Sequence, residues 1–163
     1  MAELRVETFY PYPRELVWEA LTDPAALNEW SMENDFLPVV GHKFQFHGEP
    51  NKHWNGILDA EVLEVINPSR LVYSCRGYYE GANTVVTITL EPSGNGTKLT
   101  VLQTGLEGFG GFIFAKLFLA RGWSILLKKN FPVVLEHISR NGLIFDKSKP
   151  LNPGRWMPGA KTR

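Results

Sequence analysis

Hydrophobic and polar positions alternate along most of the first two thirds of the chain. Residues Leu4 to Phe9 place Leu4, Val6 and Thr8 on one face, the two-residue period of a strand. His42 to His47 alternates in the same way, with Phe44 and Phe46 against Lys43, Gln45 and His47. In Trp54 to Val65, Leu58, Ala60 and Val62 oppose Asp59 and Glu61, and the phase shifts near Leu63, which predicts a bulge. Leu71, Tyr73 and Cys75 alternate with Val72, Ser74 and Arg76. Val86, Ile88 and Leu90 alternate with Thr87 and Thr89, and Leu99, Val101 and Gln103 with Lys98, Thr100, Leu102 and Thr104. Asn67-Pro68-Ser69 and Pro92-Ser93-Gly94-Asn95-Gly96 are turn sequences between these runs. Six strands joined by short turns, with no crossover helix among the last five, predict an antiparallel meander.

Two short helices separate the first strand from the rest. RELVWEAL places Val17, Ala20 and Leu21 on one face, behind Pro13. Asp23-Pro24 then restarts the chain as AALNEW, with Asp23 as cap and Pro24 in the first helical position. The one long helical segment is Gly108–Asn141. Trp123, Leu126, Leu127, Val134 and Ile138 form an apolar stripe on it, while Ser124, Lys128, Ser139 and Arg140 lie away from it. Gly122 predicts a break, and Pro132, on the outer side, a bend. The part before Gly122 is apolar on too many sides for a simple surface helix and reads as a lid or packed extension. Asn141-Gly142 ends the helix. The fold class is therefore α+β: a curved antiparallel six-stranded sheet wrapped around a long C-terminal helix, in one domain over residues 1–141. Residues 142–163 form an irregular, basic, Pro/Gly-rich tail, with Ile144, Phe145 and Trp156 as the residues to tack it down.

Composition changes this picture little. The chain has 163 residues, enough for one sizeable core, with 44% hydrophobic and 21% charged residues. Seventeen basic residues balance seventeen acidic ones, so no global field draws nucleic acid. The tail is basic, with Lys147, Lys149, Arg155, Lys161 and Arg163 against Asp146 alone. A single cysteine, Cys75, precludes an internal disulfide. The N-terminal residues lack a signal-peptide pattern and no apolar run approaches the ~20 residues of a membrane span, so the expected setting is cytoplasmic, without membrane insertion.

Candidate chemistry is sparse. Asn130 sits in the middle of the apolar stripe. A buried amide needs a hydrogen bond, either to a ligand in a cavity or to a nearby strand or loop. Gln103 and Tyr73 are also in phase with apolar neighbours. Tyr73 reads first as a core residue with its hydroxyl satisfied, and second as a polar group facing a cavity. Trp30, Phe44, Phe46, Trp54, Trp123 and Leu127 complete the candidate lining of a cavity between sheet and helix, or else a packed core. His42 and His47 face opposite sides of a strand and His53 lies across a turn, with no completing carboxylate or cysteine, so no metal site is expected. Acid–base catalysis would have to draw on Tyr73, His53, Gln103 or Arg76. No cofactor is implied.

The order of strand, two helices, five strands and long helix resembles the helix-grip order of the START-like or SRPBCC superfamily. VWEALTDPAALNEW (17–30) resembles the opening motif of bacterial proteins related to the Hsp90 ATPase activator and of the polyketide cyclase/dehydrase-like group. VGHKFQFHG (40–48), GILDAEVLEVINPSRLVYS (56–74) and TVVTITLEPSGNGTKLTVLQTGL (84–106) resemble their later strands. FGGFIFAKLFLARGW looks more like the polyketide cyclase/dehydrase-like branch. The resemblance implies a helix-grip fold with a cavity between sheet and helix. It implies one of three functions: binding, transport or sensing of a hydrophobic small molecule or lipid; a cyclase or dehydrase acting on a polyketide-like or aromatic substrate; or a protein-interaction module like the Hsp90 activator domain. The first is the leading expectation.

Overall fold

The computed structural model describes residues 3–50, 52, 54–77, 83–106 and 112–153, with the side chains of 112–116 left aside. Its elements run β1 (Glu3–Tyr10), α1 (Arg14–Thr22), α2 (Pro24–Trp30), β2 (Glu33–Asn34), β3 (Lys43–His47), β4 (Ile57–Ile66), β5 (Arg70–Arg76), β6 (Asn83–Ser93), β7 (Gly96–Thr104), α3 (Phe112–Ile125), a π-helical turn (Leu126–Asn130) and α4 (Phe131–Asn141). The strands form one antiparallel sheet in the order β1-β7-β6-β5-β4-β3-β2.

The sheet has seven strands rather than the expected six. The extra strand is β2, two residues that pair Glu33 with His47 and Asn34 with Phe46. Two residues cannot show alternation, so only the pairing reveals it. Beyond Asn34 the edge of β3 is closed by a side chain, because the Gln45 N–H donates to Asp35 Oδ1 at 2.7 Å. A strand edge whose N–H is already engaged is a poorer template for another chain.

The alternation read from the sequence sets the inner face. Phe44 and Phe46, Leu58 to Val62, Leu71 to Cys75, Thr84 to Leu90 and Leu99 to Gln103 send every second side chain into one core. The expected bulge falls between Val62 and Glu64 and turns Leu63 outward, 43% exposed. The β6–β7 hairpin closes with Ser93 opposite Gly96 and Gly94 at φ 55°, a conformation glycine adopts without strain. Asp23 caps α2, accepting from the Ala26 N–H at 2.9 Å, with Pro24 in the first turn.

The long helix does not break at Gly122; α3 runs through it to Ile125. Leu119, Trp123 and Leu126 form a continuous buried row across the glycine, and burying such side chains contributes about 1.5–3 kcal/mol each, more than the ~1 kcal/mol that glycine costs. The irregularity lies further on. At the π-helical turn the Phe131 N–H reaches back to Leu126 O, five residues away, instead of to Leu127 O. Pro132 follows immediately and has no N–H to offer. Leu127 O is therefore passed over by Phe131 and cannot be served by Pro132. The Tyr10 hydroxyl, from the end of β1, donates to it. Phe131 packs between Tyr10 and Trp30, with ring centroids 5.0 Å from each.

The segment after α4 is irregular, and part of it is held firmly. Phe145 stacks on His137 at 5.1 Å. Ile144, expected to be tacked down, is 76% exposed, and its carbonyl is what is used, bonding His137 Nε2 at 2.6 Å. Asn152 is buried. Its amide donates to Glu29 O and Asn130 O, both at 3.0 Å, while the Leu151 N–H donates to Glu29 Oε2 at 2.9 Å. Trp156 lies outside the described residues.

Candidate functional site

The space between the sheet and the α3 end of the long helix narrows to an enclosed chamber. Ser31 and Met32 from the loop after α2, inward residues of β3 to β7, and Leu119, Trp123 and Leu126 from the helix surround it. Of the residues expected at the site, Phe46, Tyr73, Gln103 and Trp123 line this chamber. Trp30 and Phe44, again with Phe46 and Tyr73, line a second, smaller void deeper in the core. Their rings meet edge to face, with Phe44 at 5.3 Å from Phe46 and 5.8 Å from Tyr73. Both of these voids are small. The chamber measures about 30 Å³ and the deeper void about 10 Å³. The first is large enough for roughly one water molecule and far below the volume of a ligand pocket.

The remaining expected residues lie elsewhere. Trp54 is half-buried, with its indole N–H donating to Ile57 O at 3.2 Å. Leu127 is fully buried, and its functional atom is the backbone carbonyl that Tyr10 engages. Asn130 is buried with its amide donating to Trp30 O at 3.3 Å, tying the π-helical turn to the end of α2. Neither Trp54, Leu127 nor Asn130 lines either void.

One wall of the chamber is a hydrogen-bonded relay. The Trp123 indole N–H donates to Gln103 Oε1 at 2.9 Å, the Gln103 amide donates to Thr84 Oγ1 at 3.0 Å, and the Thr84 hydroxyl donates to Cys75 O at 2.9 Å. Indole nitrogen only donates, so the amide oxygen of Gln103 must face Trp123. Thr84 escapes a reading that starts the strand at Val86, although its even number puts it in phase with Val86 and Ile88.

Tyr73 and Cys75 stand apart from this relay. Among the described residues the Tyr73 hydroxyl has no hydrogen-bond partner, although only 8% of the residue is exposed. Burial, with Cys75 adding to it, raises the Tyr73 pKa well above the ordinary phenol range. Burial likewise pushes the Cys75 thiol up to about 12, with Asp59 adding a smaller push. Both groups are neutral at pH 7, and among the described residues no carboxylate, histidine, lysine or arginine lines the chamber. Arg76 is exposed on the outer face, and His53 lies outside the described residues. His42 bonds Asp35 O through Nε2 at 2.9 Å, and among the described residues no group of three or more His, Cys, Asp or Glu is arranged to hold a metal ion. No described helix is long and apolar enough to cross a membrane.

A curled antiparallel sheet closed by a long C-terminal helix, with two short helices after the first strand, is the helix-grip architecture of the START-like, SRPBCC superfamily. Within it the chain belongs to the Activator of Hsp90 ATPase homolog 1-like protein family, whose model matches residues 11–136. The chain is 32% identical to protein MLL2253 from Mesorhizobium loti, whose crystal structure superposes with a TM-score of 0.70 over 86% of this chain and 98% of that one. DynU16, a protein of the dynemicin biosynthetic locus, is 25% identical with a TM-score of 0.67 over 91% of this chain, which spans about half (49%) of DynU16. The Aha1 dimer from Colwellia psychrerythraea shares the fold, at 18% identity and a TM-score of 0.65, covering 87% of this chain and 98% of that one. No curated protein sequence matches the chain.

Proposed function

We propose that the protein binds a small, uncharged, largely apolar molecule in the chamber between the sheet and α3. The molecule carries one hydrogen-bonding group for Tyr73. The observation that carries this reading is the buried Tyr73 hydroxyl, which has no hydrogen-bond partner among the described residues, at a chamber wall where the polar groups of Gln103 and Trp123 are already joined to each other. A buried hydroxyl without a partner costs about 1–3 kcal/mol, which a ligand oxygen or nitrogen would recover. The all-neutral lining supports an uncharged ligand, since an unpaired charge there would be heavily penalised. It also supports binding over acid–base chemistry, because a phenol whose pKa is raised by burial is a poor proton donor near neutral pH. At about 30 Å³ the chamber cannot admit such a molecule without movement. The helix is the wall to move, since the sheet is held by paired strands on both sides of β5.

Native mass spectrometry of protein purified from its own host tests the proposal. Retention of a small apolar molecule, lost in Tyr73→Phe, is the expected result. Ligand-free protein, with no thermal shift across a panel of neutral hydrophobic compounds, would end it.

The small size of both described voids favours a second reading, a protein-interaction module using the outer face of the sheet. There Lys43 stands opposite Glu61 and Asp59 opposite Arg76. Stimulation of an Hsp90-type ATPase, reduced by Lys43→Glu or Arg76→Glu, is the result that this reading requires.

A further inference from the structure

The face of α3 turned away from the chamber is unlike a solvated helix face. Placed at about 100° per residue, Leu119, Trp123, Leu126, Leu127 and Asn130 occupy one arc and are all buried. The opposite arc, which continues past α3 into the π-helical turn, holds Leu117, Phe118, Arg121, the half-buried Ile125, Lys128 and Lys129. Leu117 is 65% exposed and Phe118 40%, and the three basic residues are exposed as well. No acidic residue occurs between Glu107 and Glu136, so these cations have no carboxylate three or four residues away to pair with. Arg121, Lys128 and Lys129 make no salt bridge with any described residue. The exposed residues of the outer arc are thus apolar at Leu117 and Phe118 and cationic at Arg121, Lys128 and Lys129.

From this we infer that the outer face of α3 docks on an anionic lipid surface, with Leu117 and Phe118 entering the interface and Arg121, Lys128 and Lys129 contacting the headgroups. An exposed helix face that combines large apolar side chains with positive charge of one sign is complementary to such a surface. An acidic protein would be matched by the cations alone and gives no reason for Leu117 and Phe118. A second copy of the same face would repel it through the same three cations. The opposite arc of this helix carries three of the residues that line the chamber, Leu119, Trp123 and Leu126, so a surface that holds α3 by its outer face acts on the element that must move for a ligand to enter.

Flotation of the full chain with phosphatidylcholine vesicles, with and without phosphatidylglycerol, tests the inference. Binding to the phosphatidylglycerol vesicles only, falling as salt is raised, is expected. Arg121→Gln, Lys128→Gln and Lys129→Gln together should lower the partition coefficient on the order of a hundredfold, about fivefold for each charge. Leu117→Ser with Phe118→Ser should reduce it as well while thermal unfolding is unchanged. If the combined variants fold poorly, the salt dependence of the parent protein still decides. Equal binding to both vesicles, binding to neither, or full binding by the charge-neutralised variant overturns the inference. So does a concentration-dependent dimer in vesicle-free solution that Leu117→Ser with Phe118→Ser disperses. Tyr73→Phe should bind vesicles like the parent, so failure of the chamber as a ligand site and failure of this surface are told apart.

Discussion

The hydroxyl of Tyr10 donates to the backbone carbonyl of Leu127, 117 residues further along the chain. This bond serves a carbonyl that Phe131 passes over at the π-helical turn and that Pro132 has no N–H to reach. Tyr10→Phe should cost about 1–3 kcal/mol, because it leaves a buried carbonyl without a donor. Pro132→Ala restores an N–H at the next position, so the same Tyr10→Phe change should cost less in that background. Urea unfolding of the two single variants and the double variant measures the coupling, and additive effects would refute the link.

Trp123→Phe should destabilise the protein by about 1–3 kcal/mol, beyond what the smaller ring loses in packing, since Gln103 Oε1 is left unsatisfied. Adding Gln103→Leu should recover part of that loss. Thermal melts of both variants decide the matter, and a double variant no more stable than Trp123→Phe would contradict the relay.

Tyr73→Phe is expected to do the reverse in ligand-free protein. Removing a buried hydroxyl with no partner should hold or raise stability, by about 1 kcal/mol at most. A loss greater than that would mean that the hydroxyl is already satisfied and that the ligand reading has lost its main support.

Cys75 gives a pH signature. Its thiol rises from an ordinary value of 9.0 to about 12 in the folded protein, so the folded state favours the protonated form. That contribution to stability is complete below pH 9, declines as the pH rises above it and is lost as the pH passes through about 12. Native protein at pH 8.5 should therefore be alkylated by iodoacetamide far more slowly than a small free thiol, with full reactivity in denaturant. Fast labelling of the native protein would show that the chamber opens readily.

Asn152 anchors the segment after α4, and Asn152→Ala should release it. Three connections are then weakened together: the bonds to Glu29 O and Asn130 O, and the adjoining Leu151–Glu29 contact. A loss of about 1–2 kcal/mol and faster proteolysis near residues 143–153 are the expected outcomes. An unchanged digestion pattern would argue that the segment is held by Phe145 alone.

What was legible in the sequence followed from periodicity. Alternation from Leu4 to Gln103 identified which residues face inward, and Asp23-Pro24 marked the start of α2. Periodicity could not reveal β2, which is too short to have a period. Nor could it supply long-range partners: nothing adjacent to Tyr10, Asn130 or Asn152 indicates that they meet around one turn of helix. It also could not set the interior volume. Phe44, Phe46 and Tyr73 line a cavity or fill one depending on how tightly the sheet curls, and sheet curvature is a sum over the whole sheet rather than a property of any residue.

The bonds around the π-helical turn are unevenly placed. Tyr10, Trp30 and Asn152 all hold the chain within the span Leu127–Asn130, at the junction with α4, whereas toward the sheet α3 has the Trp123–Gln103 bond as its polar tie among the described residues. The long helix is thus a lever with its fulcrum at the turn and a lightly held arm over the chamber. Amide hydrogen exchange should grade along it, slow in α4 and progressively faster toward Leu117.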